Sequence, residues 1–96
     1  MHVLMSLSIN KIDPSMRNKF YKELEDKKFV KVDHVETVWT RGITHDSSVS
    51  DTDRAEQGEK QAAKDIKAAA KAVDLNDYEA IVGVCYSKST EFQVNP

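Results

Sequence analysis

The stretch His2–Asp26, HVLMSLSINKIDPSMRNKFYKELED, changes periodicity at Asp13-Pro14. Before that point Val3, Met5, Leu7 and Ile9 alternate with Leu4, Ser6, Ser8 and Asn10, the two-residue period of a strand with one apolar and one mixed face. A sheet built from such strands takes helices on one side and a partner or solvent on the other. After it, Asp13 can cap free N–H groups and Pro14 suits the first helical position, so a helix starts there. Met16, Phe20 and Leu24 recur every fourth residue as its buried stripe, with Lys19, Lys22, Glu23 and Asp26 facing water. The helix is expected to end near Lys27 or Lys28.

Beyond it, Phe29–Ile43 is rich in β-branched residues and has little helical period, which reads as one strand with a bulge, closed by Gly42. Residues 44–53, THDSSVSDTD, form a polar loop, or a hairpin with a poor third strand within 43–50. From about Asp51 to Val73 the chain is helical, with Ala55, Ala62, Ile66, Ala69, Ala70 and Val73 on one side. Its alanines allow close approach to a sheet, and Gly58 predicts frayed first turns. Asp74 to Asp77 makes a turn, and Tyr78–Tyr86 is an apolar run that reads as a central strand. Residues 87–96 alternate weakly through Thr90, Phe92 and Val94, as an edge strand or a flexible tail. The element order predicts one α+β domain over 1–96, a ferredoxin-like split βαβ fold with two helices on one face of an antiparallel sheet. The uncovered face is where such a domain is expected to dimerise. Leu4, Ser6, Trp39 or Val38, Ile81 or Val82, and Phe92 are the interface candidates.

Composition bounds the function. A 96-residue chain supports one core. Its 14 basic and 16 acidic residues, a net charge of −2, exclude a strongly basic nucleic-acid footprint, so any basic surface is local. The lone Cys85 forms no intramolecular disulfide and sits in an apolar run as a small hydrophobe. The N-terminal stretch lacks the basic region and cleavage site of a signal peptide, and no apolar run approaches the roughly 20 residues that span a bilayer. A cytoplasmic protein is therefore expected. His34, His45, Asp46, Asp51 and Asp53 have no zinc spacing, and the segment DSSVSDTD lacks the Gly and terminal Glu of an EF-hand loop. No phosphate-binding, nucleophile-elbow, dithiol or zinc-protease motif occurs, so neither metal nor cofactor is expected.

Three segments together resemble a known group: LSINK (7–11), HVETVWT (34–40) and AAKDIKAAAKAVDLNDYEAIVGV (62–84). They are similar to the small ferredoxin-fold proteins grouped around the CRISPR-associated endoribonuclease, the SinR-like proteins and the antitoxin endoribonuclease of type V toxin–antitoxin systems. The resemblance implies a homodimer that binds or cuts RNA or DNA. It also implies, for metal-dependent members, a carboxylate at the end of the first strand. Here that position is Ser8, and a hydroxyl is a poor anchor for a hard cation. Asn10 or Asp13 would have to substitute, and Asp13 is better explained as a helix cap.

Lys60, Lys64, Lys67 and Lys71, spaced 4, 3 and 4, form one stripe opposite the alanine face of the second helix. They can track phosphates or simply be a solvated face, with Glu56 placed to pair with Lys60. Trp39 and Arg41 share a strand face, either stacking a base and holding a phosphate, or packing in the core or at a dimer interface with Arg41 at its rim. The expected function is a homodimeric, non-catalytic binding module of a mobile-element or defence-related type, with a possible protein partner. The alternative is a metal-independent or degenerate endoribonuclease or other RNA- or DNA-binding protein. Ser8, Asn10 and Arg41 are then the catalytic candidates, and Lys11, Arg41 and the four helix lysines the nucleic-acid contacts.

Overall fold

Alternation in the first strand sets the layers. In the computed structural model, which describes residues 1–9, 13–32, 37–44 and 46–85, β1 (His2–Ile9) buries Val3, Met5 and Leu7 and leaves Ser6 and Ser8 exposed. The remaining elements are α1 (Pro14–Asp26), β2 (Val30–Lys31), β3 (Val38–Gly42), α2 (Asp51–Ala72) and β4 (Tyr78–Cys85). The strands lie in the order β2-β3-β1-β4, and every pairing is antiparallel. Two interleaved βαβ units thus share one sheet, which is the ferredoxin-like arrangement. Both helices pack on the face that carries Val3, Met5, Leu7 and Trp39, where Phe20 and Leu24 of α1 meet Ala62, Ile66, Ala69 and Ala70 of α2.

One strand expectation is corrected, and one pair of alternatives is decided among the described residues. Phe29–Ile43 is two strands rather than one, with Val30 opposite Thr40 and Lys31 opposite Trp39. No third strand forms among the described residues of 43–50. Instead the Asp46 carboxylate accepts from the Ser48 amide at 3.0 Å and its hydroxyl at 2.6 Å, fixing a turn through local side-chain bonding. β4 pairs with β1, its one strand neighbour among the described residues, and the expected edge strand or tail over 87–96 lies outside them.

The helix starts follow the sequence. Asp13 accepts from the Ser15 amide at 2.8 Å with Pro14 in the first turn, and Ser50 accepts from the Asp53 amide at 3.2 Å. The helix ends use a shared device that the residue types hide. Lys28 (φ 71°) and Asp74 (φ 57°) adopt the left-handed conformation, and the next amides, Phe29 and Leu75, donate to the Leu24 and Ala70 carbonyls at 3.0 and 2.9 Å. Each is a Schellman closure whose following side chain turns into the core, normally built on glycine. Lys28 is exposed, and a side chain there carries the steric cost of that conformation. Lys28→Gly is therefore expected to raise stability by about 0.5–1 kcal/mol, read as a higher urea midpoint at unchanged slope.

Gly58 does not interrupt α2, which runs unbroken from Asp51 to Ala72. A Cβ there would lie 2.6 Å from Ile43 Cδ1 and 3.2 Å from its Cγ1. The missing side chain lets Ile43 press onto the helix, and that packing offsets the lower helix propensity.

Candidate binding face of the sheet

The side of the sheet away from the helices is set by register. Leu4 lies between Thr40 of β3 and Gly83 of β4, and Ser6 lies between Val38 and Ile81. Val30 extends the first of these two rows through its pairing with Thr40. Neither row carries a charge. Val30 and Ile81, the exposed large hydrophobics at 61% and 76%, both belong to this face. A groove of about 260 Å³ runs across it beside Leu4, Ser6, Val38, Ile81, Gly83 and Cys85. The outer rows are more polar, with Ser8 opposite Glu79 at one end and His2 between Gly42 and Cys85 at the other.

Polar groups on this face are partly satisfied internally. Thr40 Oγ1 donates to the Val3 carbonyl at 2.9 Å, so its methyl group remains for contact and its hydroxyl needs no outside acceptor. Glu79 is the carboxylate that the described strands place on the open face, across from Ser8, and the first-strand pattern gave no signal of it. Among the described residues no three His, Cys, Asp or Glu side chains gather as a metal site.

Of the catalytic candidates, Ser8 and Arg41 lie on opposite faces of the sheet. Ser8 is exposed on the open face, whereas Arg41 shares the helix-covered face with Trp39. Arg41 Nη1 donates to Asp65 Oδ2 at 2.7 Å and to the Lys27 carbonyl at 3.1 Å, and the guanidinium lies 4.4 Å from the Phe29 ring centroid. Its side chain is 15% exposed and that of Asp65 23%. The other Asp65 oxygen accepts from Gln61 Nε2 at 3.0 Å. Arg41 thereby joins β3, the end of α1 and α2. Asn10, Lys11 and Phe92 lie outside the described residues.

Trp39 is corrected as an interface residue. It is 0% exposed, opposite Met5 under the helices, with its ring centroid 5.1 Å from that of Tyr21. Leu4 and Ser6, by contrast, stand on the open face. Lys60, Lys64, Lys67 and Lys71 are exposed along the outer side of α2, and Lys60 pairs with Glu56 at 3.0 Å. Asp51 and Asp53 in the first turn and Lys71 in the last give this helix the charge order its dipole favours at its two ends.

Among the described residues no helix is long and apolar enough to cross a membrane. Comparison with family models, with curated proteins and with solved structures finds no match to this chain.

Proposed function

We propose that this chain is a non-catalytic module that works as a homodimer through the open face of its sheet. The observation that carries this reading is the pair of charge-free rows, Thr40-Leu4-Gly83 and Val38-Ser6-Ile81, on the face away from the helices, bearing Ile81, the more exposed of the two exposed large hydrophobics among the described residues. A second copy is the occupant whose chemistry matches without further assumption. The face is apolar, uncharged at its centre and polar at both ends, so it complements itself.

Size sets the strength of such a dimer. Strands of eight, eight, five and two residues, at a rise of about 3.3 Å and a spacing of about 4.8 Å, give the four-stranded face a footprint on the order of 400 Å². Two copies would then bury on the order of 700–800 Å² in total, the range of weak, transient association. The dimer is expected to dissociate on dilution, with sedimentation velocity showing a shift from dimer to monomer as concentration falls. Leu4→Glu, which puts a charge at the centre of the face, is expected to leave a folded monomer at every concentration. A wild-type chain that stays monomeric into the hundreds of micromolar, well beyond the usual range of specific association, removes the reading.

A further inference from the structure

We propose that two copies stack their open faces with aligned, antiparallel strands, each Ile81 seated over Gly83 of the other copy. This rests on the homodimer reading and adds its geometry. Gly83 is the starting point. It lies inside β4, where glycine weakens a strand, yet nothing among the described residues uses the missing side chain. Its φ is not positive, and a Cβ built there meets no atom within 4 Å. The β1–β4 register runs through it without a bulge, which leaves close approach of another surface among the uses of a strand glycine.

Two residues earlier on the same face stands Ile81, 76% exposed. A hollow and a projection separated by two positions on one strand fit a two-fold axis that crosses the strand midway, at the level of Val82. In a two-fold interface, if residue i meets residue j of the other copy, j also meets i. An axis in the plane between the sheets and perpendicular to the strands lays β4 over β4, β1 over β1 and β3 over β3. Such aligned stacking, with a modest angle from twist, is one of the two ways sheets pack.

The register makes this a test of the whole face rather than of one contact. Val82 is paired with Met5, and Met5 with Trp39, so the same axis passes all three strands at corresponding levels. It exchanges the two central rows. Ile81 then meets Gly83, Leu4 meets Ser6, and Val38 meets the similarly shaped Thr40. On β4 and β1 a large side chain faces a small one, which is the interdigitation that close packing requires. The same operation brings the Ser8–Glu79 row of one copy against the His2–Cys85 row of the other, and the polar groups fall at the rim.

The test exchanges the projection and the hollow. Ile81→Gly removes both projections, and Gly83→Ile sets isoleucine against isoleucine, so each alone is expected to weaken dimerisation by at least about tenfold. The double variant Ile81→Gly/Gly83→Ile restores one large and one small residue at each contact, and its dimer constant is expected within about threefold of wild type. Both positions are open in the protomer, and circular dichroism with urea midpoints checks that each variant is folded. A wild-type dimer whose double variant is no tighter than the weaker single variant overturns this geometry while leaving the homodimer standing. A monomeric wild type overturns both.

Discussion

Trp39→Ala is expected to lower the unfolding free energy by about 3–5 kcal/mol, measured by urea denaturation followed by far-UV circular dichroism. The indole is 0% exposed, lies opposite Met5 and packs 5.1 Å from the Tyr21 ring, so its removal opens a cavity between β3 and α1. For 96 residues a total stability of about 5–14 kcal/mol is typical, and the loss would take a large part of it. Trp39→Phe separates packing from polarity. Among the described residues Trp39 Nε1 is buried without an acceptor, a cost of about 1–3 kcal/mol that phenylalanine does not incur. The phenylalanine variant is therefore expected to lose no more than about 1–2 kcal/mol, because the smaller ring gives up area while the unpaired donor disappears. Neither effect should move the dimer constant of a folded variant beyond its change in stability. A Trp39→Phe protein as stable as wild type but monomeric would return the residue to the interface.

Trp39 also shows what a sequence can and cannot fix. That Trp39 and Arg41 share a face follows from period two. Which layer that face belongs to follows only from pairing, Met5 with Trp39 and Val3 with Arg41, and no single strand contains that information. The β1 alternation, the Asp13-Pro14 start and the span of α2 were legible because each signal is local and repeated over several residues. The β2–β3 pair was not. Two residues of β2 are too few to show a period, and no Asn-Gly or Asp-Gly marks a turn between the strands. The left-handed closures at Lys28 and Asp74 were hidden for a similar reason, since neither carries the glycine that usually announces them. On the open face, Leu4, Ser6 and Ile81 could be named in advance, but Gly83 reads as a weak point in an apolar run. Only its position beside Leu4, in empty space, gives its absent side chain a meaning.

Arg41→Ala is expected to cost about 2–3 kcal/mol, which is large for an arginine because three attachments fail together. The pair with Asp65 is partly buried, so the usual near-zero worth of an exposed ion pair does not apply. Removing the guanidinium leaves the Lys27 carbonyl at the end of α1 without that donor, uncovers the Phe29 ring and leaves Asp65 with Gln61 as its remaining described partner. Arg41→Lys should recover only part of the loss, since an ammonium lacks the planar surface that covers the ring. A double-mutant cycle with Asp65→Asn is expected to give a coupling of about 1–2 kcal/mol, and limited solvent access should preserve most of it in 0.5 M salt, where exposed pairs are screened. An arginine kept for phosphate contact predicts the opposite pattern, a stability change within about 0.5 kcal/mol and no coupling to Asp65. The two outcomes differ by more than the error of a denaturation midpoint. The same measurement thus decides whether the residue serves the fold, where its three contacts place it, or a ligand on a face that the helices cover.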